Sequence, residues 1–154
     1  MVEEDYVSFE VAKLLKEKGF KEWCRQCYGL DVRHNGEPID FDEECELKDA
    51  GRENEIEYVD GGRMYDYGCG NFNPGSLYAA PSLYAAMKWL REVHKLFIFI
   101  SPWIMLEDNI QYYFEIREIK TSDFETLYDY TSKELNSFEK VAETAIKYCL
   151  ENLI

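Results

Sequence analysis

Residues 110–119 read I-Q-Y-Y-F-E-I-R-E-I. Ile110, Tyr112, Phe114 and Ile116 fall on one side of a period-two pattern, with Gln111, Tyr113, Glu115 and Arg117 on the other. In an extended chain successive side chains point to opposite faces, so this alternation demands a strand buried on one face only. A half-buried strand needs neighbours. Leu96–Ile100 and Trp103–Leu106 supply an apolar first arm, and Glu107, Asp108 and Asn109 supply a polar turn between the arms. The pattern predicts a β-hairpin, with a third strand around Thr126–Tyr130. A short helix over 124–130 is the alternative.

Three other stretches carry helical spacing. Ser8 is placed to cap a helix over 8–19, in which Val11, Leu14 and Leu15 share one face and Gly19 suits the left-handed position that ends it. Residues 80–94 follow, with Pro81 in the first turn and Leu83, Ala86, Met87, Leu90 and Val93 as the apolar stripe. His94 falls in the last turn, where the helix dipole favours a cation. The third runs from Ser137 to Ile154, with Val141, Ala142, Ala145, Cys149, Leu150 and Leu153 at helical spacing. Residues 20–30 read as a short aromatic strand, and Asn35-Gly36 as a turn. The pentapeptide S-L-Y-A-A occurs at 76–80 and again at 82–86. An offset of six matches no repeat architecture. Helices first, middle and last with antiparallel strands between them predict an α+β fold. The expected form is a single domain over 1–154, with a mainly antiparallel sheet of about four strands and three helices on one of its faces.

Charge limits what such a domain can bind. The 154-residue chain has a formal net charge of −14. Ten acids against Lys48 and Arg52 crowd into 40–60, within an acidic, loop-rich insertion expected over 40–75. A field of this sign opposes phosphate backbones and anionic membrane surfaces and favours a basic protein. No direct nucleic-acid partner and no membrane partner is therefore expected. The opening M-V-E-E-D-Y has neither a basic nor an apolar leader segment, and Leu96–Ile100 is far too short to span a bilayer. These features predict a cytoplasmic protein. Five cysteines, an odd number, fit reduced thiols.

Candidate chemistry is sparse. Cys24 and Cys27 lie three apart in W-C-R-Q-C-Y. As a zinc site they would need His34 and Cys45 to complete a tetrahedron, but a second closely spaced pair is missing. On a strand, residues three apart point to opposite faces, which opposes the metal, and a redox dithiol of the thioredoxin type heads a helix in a βαβ setting that this segment lacks. Asp40-x-Asp42-x-Glu44 departs from a calcium loop, having Cys45 and Gly51 at the sixth and twelfth places. Cys69 or Ser101 could be a nucleophile with His94, yet nothing sets a base beside either, and no phosphate-binding glycine loop occurs. No cofactor is expected. A carboxylate-based active site remains an alternative. The surface reading centres on Lys88, Trp89, Arg91 and His94 around the middle helix, because Trp and Arg are enriched where proteins meet partners. Against it stands the packing of Trp89 into the core.

The segments S-F-E-V-A-K-L-L-K-E-K-G-F, A-A-P-S-L-Y-A-A-M-K-W-L-R-E-V-H-K-L-F-I-F-I and S-F-E-K-V-A-E-T-A-I-K-Y-C-L resemble a group of small proteins without assigned activity. That group is encoded in the genomes, prophages and mobile elements of gut Bacteroidetes-type bacteria. The match is best over Ala79–Ile100 and does not cover 40–73. It implies no catalytic residues. It implies an accessory role, and it weakens the metal reading, because the group carries a cysteine like Cys24 without a dependable partner like Cys27. Together these readings predict a non-enzymatic acidic protein that acts by binding, with a zinc or redox protein using Cys24 and Cys27 as the rival.

Overall fold

The computed structural model describes residues 5–30, 56–59, 62–65, 77–120 and 123–154. Ser8 accepts a hydrogen bond from the Val11 amide at 3.2 Å and opens helix α1 (Phe9–Glu17). The helix closes as the glycine predicts. Gly19 has φ +89°, its amide donates to Lys16 O, and the Phe20 amide donates to Leu15 O at 2.9 Å. This is a Schellman closure, and it folds Phe20 back until the ring is 1% exposed.

Four short strands follow: β1 (Gln26–Leu30), β2 (Ile56–Val59), β3 (Gly62–Tyr65) and β4 (Leu77–Ala80). They form an antiparallel sheet in the order β2-β3-β1-β4. Only Gln26–Leu30 of the expected strand over 20–30 is regular. The sheet gains β4, which no periodicity announced. Tyr28 on β1 faces Tyr78 on β4 in register, and Phe9 at the head of α1 lies 5.5 Å from each ring. The Tyr28 hydroxyl donates to Val7 O at 2.6 Å. Of the expected insertion over 40–75, only β2 and β3 fall within the described residues.

Ser82 accepts from the Ala85 amide and caps helix α2 (Leu83–His94), so Pro81 stands just before the helix rather than inside it. The turn into the next strand is tight, with Lys95 in the left-handed region at φ 60°. Three strands then form a second antiparallel sheet, β5 (Leu96–Leu106), β6 (Asn109–Lys120) and β7 (Asp123–Thr131), in sequence order. The hairpin is as expected. Its two arms are joined by Glu107 and Asp108, with Asn109 already paired to Leu106. The 124–130 stretch is strand. Pro102 is tolerated because β5 is an edge strand of this sheet, and the register slips beside it, between Pro102 and Ile104. Ser137 caps the last helix, α3 (Phe138–Asn152), through the Lys140 amide. Each serine cap contributes about 1 kcal/mol.

The α+β class holds, and the described residues contain three helices. The expectation of one sheet of about four strands with all three helices on one face does not hold. The described residues form two sheets and two compact units, one from Tyr6–Pro81 and the other from Asp5 with Ser82–Ile154. The helices divide accordingly, α1 against β4 and α2 and α3 against β5 and β6. The physical reason is register. Pairing β1 with both β3 and β4 completes the first sheet without any strand of the hairpin.

Candidate functional site

In the second unit the three-stranded sheet has two unlike faces. Cross-strand pairing puts Ile98 with Ile116 and Tyr128 in one row, and Ile100 with Phe114 and Tyr130 in the next. Phe114 and Ile116 are fully buried. Helices α2 and α3 cover this side, where Tyr148 of α3 stacks on Tyr128 at 3.7 Å. From α3, Val141, Ala142, Ala145, Ile146, Cys149 and Leu150 are buried. Burial pushes the Cys149 thiol up to about 12, which makes it an inert packing group rather than a nucleophile.

Among the described residues, no helix of this unit packs on the opposite face. Its rows are Phe97–Arg117–Thr126, Phe99–Glu115–Asp129 and Ser101–Tyr113–Thr131. The slip beside Pro102 brings Trp103 over Tyr113, with ring centres 5.6 Å apart, and leaves Trp103 57% exposed. Phe99 is 40% exposed and Phe124 60%. At the centre, Arg117 grips Glu115 with two hydrogen bonds of 2.8 and 2.9 Å, and its guanidinium lies 4.7 Å over the Phe99 ring. Thr126 donates to Glu115 Oε1, the oxygen that also accepts from Arg117 Nε.

The Arg117 hydrogen bonds hold the Glu115 carboxyl below the usual glutamate range, helped by Thr126. A lowered pKa means that the folded state favours the carboxylate. Its stabilising contribution is therefore fully present above the ordinary value of 4.5 and is lost as pH falls through the lowered one. We expect Glu115→Gln to lower stability near neutral pH and to converge on the parent in acid, below the lowered carboxyl value, which flattens the acid limb of a stability-versus-pH curve. An acid limb identical to that of the parent would contradict this. Tyr113 is shifted upward, by burial first and then by the negative charges of Asp129 and Glu115.

The four surface candidates on α2 do not converge. Trp89 is 7% exposed and belongs to the core of its unit. The buried side of α2 is Leu83, Ala86, Trp89 and Leu90, so the helix is turned from the expected stripe toward Trp89 and away from Met87, while Val93, in the last turn, is 56% exposed. The indole is the largest apolar group on the helix, and burying it favours this turn over one that buries Met87. Lys88 pairs with Glu92 at 3.9 Å across open solvent, an arrangement worth little. Arg91 is half-buried. His94 packs edge-on against Trp89 at 4.6 Å, and its buried Nε2 has no hydrogen-bond partner among the described residues. Burial lowers its pKa, so desolvation outweighs the helix dipole that favoured a cation there. Among the described residues no contact joins His94 to Ser101, and Cys69 lies outside them.

Of the four alternative metal ligands, Cys24 and Cys27 are described, and both are buried thiols in the first unit. The Cys24 thiol donates to Glu22 O at 3.6 Å. Cys27 sits on β1, paired with Ala79 and Tyr65. His34, Cys45 and the carboxylates of 40–55 lie outside the described residues. Among the described residues, no three His, Cys, Asp or Glu side chains gather as a metal site, and no helix is long and apolar enough to cross a membrane.

Among the described residues, clefts of two kinds lie in the second unit. One, of about 160 Å³ between β7 and α3, is lined by Phe114, Tyr128, Tyr130 and Tyr148, and is smaller than the roughly 300–1,000 Å³ of small-molecule sites. The other, about 570 Å³ and open to solvent, lies by Lys133, Leu135 and Lys140 at the start of α3. No family model matches the chain, and no curated protein or solved structure matches it either.

Proposed function

We propose that this chain is a non-enzymatic accessory protein that acts by binding a basic protein partner, in the setting of a prophage or mobile element. The observation that carries this reading is the uncovered face of β5–β6–β7, where exposed aromatic rings stand in a strongly negative surround. Residues 96–131 hold seven acids against Arg117 and Lys120. Both bases are already engaged, Arg117 by Glu115 and Lys120 by Glu118 and Glu125. Among the described residues, Glu107, Asp108, Asp123 and Asp129 have no ion-pair partner. Phosphate backbones are disfavoured by the same field that draws a cationic protein in.

A steered, charged interface weakens as salt shortens the Debye length from about 10 Å at 0.1 M to about 3 Å at 1 M. The immobilised chain should therefore retain a partner of basic pI at the lower salt and release most of it at the higher. Retention of no basic protein, or retention indifferent to salt, defeats the reading.

A further inference from the structure

We propose that Trp103, Tyr113 and Asp129 form a subsite on the outer sheet face for an arginine side chain, carried by a basic segment of the partner. The inference rests on the reading of the chain as a binder of a basic protein and gives that reading a location. Three observations converge on it.

The first is the ring pair. Trp103 and Tyr113 lie 5.6 Å apart with their planes inclined at 32°, and much of the indole faces solvent. A guanidinium over an indole face is the strongest common cation–π arrangement, and Arg is preferred to Lys there because its flat group also stacks. The second is the counter-charge. Asp129 sits opposite Glu115 and diagonally from Tyr113, on the same face. Its negative charge is felt at the Tyr113 hydroxyl, and it has no ion-pair partner among the described residues. Glu115, the other carboxylate of that row, is saturated by Arg117 and Thr126.

The third is an arrangement of the same kind within the face itself. Arg117 lies over the Phe99 ring at 4.7 Å while its nitrogens bind the Glu115 carboxylate. A guanidinium held between an aromatic ring and a carboxylate is thus a geometry this surface already supports one row away. Among the described residues Asp129 has no cation paired with it, and the Trp103–Tyr113 ring pair stands in the adjoining row, while Arg117 is held by Glu115. Charge selects the occupant. A second copy of this chain would bring another −14, and a nucleic-acid backbone is repelled, whereas an Arg-bearing segment is drawn in.

The bland reading is a cross-strand aromatic pair that stabilises the hairpin by about 0.2–1 kcal/mol and binds nothing. Calorimetric titration of the full chain with a short oligo-arginine peptide, and with an oligo-lysine peptide of equal length, separates the two readings. The parent should bind oligo-arginine more tightly. Trp103→Ala should weaken oligo-arginine binding about tenfold and remove the preference over oligo-lysine, while Trp103→Phe keeps most of both. Asp129→Asn should weaken both peptides several-fold and flatten the salt dependence. Peptide binding with all three variants equal to the parent overturns the subsite and leaves the basic-partner reading standing. No binding of either peptide at low salt overturns both.

Discussion

Replacing Phe114 by alanine should cost about 3–5 kcal/mol of stability, whereas Trp103→Ala, which removes a larger ring from the neighbouring strand, should cost no more than about 1 kcal/mol. The two residues lie on opposite faces of one hairpin. Phe114 is fully buried, within about 6 Å of the Tyr128 and Tyr130 rings and beneath α3. Its loss removes transfer free energy and opens a cavity that neighbours held by the sheet ladder and by α3 cannot fill. Trp103 already faces water, so truncating it leaves little cavity. Urea unfolding of the three proteins gives the comparison directly, with unchanged m-values as the sign of a simple stability change. A Trp103→Ala loss equal to that of Phe114→Ala would mean that the outer face is packed, and the aromatic rings there would need no partner to explain them.

The contrast also shows what the sequence makes readable. The period-two run over 110–119 places Phe114 and Ile116 inside and Tyr113, Glu115 and Arg117 outside, because burial on one face leaves no other pattern. The helix boundaries follow from chemistry that acts within four residues: Ser8 and Ser137 as caps, Gly19 as the stop. The two copies of S-L-Y-A-A mark where such local reading ends. Leu77–Ala80 is strand β4, and Leu83–Ala86 is the first turn of α2. Identical side chains have identical propensities, so context alone divides them. The second copy has the Ser82 cap and continues into a helical stripe, while the first finds an open edge on β1.

The candidate site was half legible for the same reason. Alternation puts Tyr113, Glu115 and Arg117 on one face, yet nothing in the sequence says that the described helices of this unit pack on the other face. Nor does it reveal that a slip beside Pro102 carries Trp103 over Tyr113, or that β7 sets Asp129 in the adjoining row. Those are consequences of register between strands, which only the paired structure fixes. Trp89 misled for the converse reason. Its position on α2 allows either an exposed or a buried indole, and the volume to be filled beneath the helix decides for burial.

The first unit depends on one tyrosine in a way that yields a graded result. Tyr28 is 2% exposed on β1, its ring is tilted against Phe9 at 5.5 Å, and its hydroxyl donates to Val7 O. It thus ties the segment entering α1 to a central strand by both packing and a buried hydrogen bond. Tyr28→Phe keeps the ring and strands a buried carbonyl, which should cost about 1–3 kcal/mol. Tyr28→Ala adds the cavity, for a total of about 4–8 kcal/mol. Amide exchange of α1, read beside urea unfolding, distinguishes the two contributions. If the hydrogen bond anchors the helix entry, Tyr28→Phe lowers protection in α1 well before it lowers protection in β1. Equal losses for the two variants would place the stabilisation in the hydroxyl alone, and a neutral Tyr28→Phe would place it wholly in the ring. In either case the aromatic contact with Phe9 and the hydrogen bond to Val7 would not be acting together to hold α1 on its sheet.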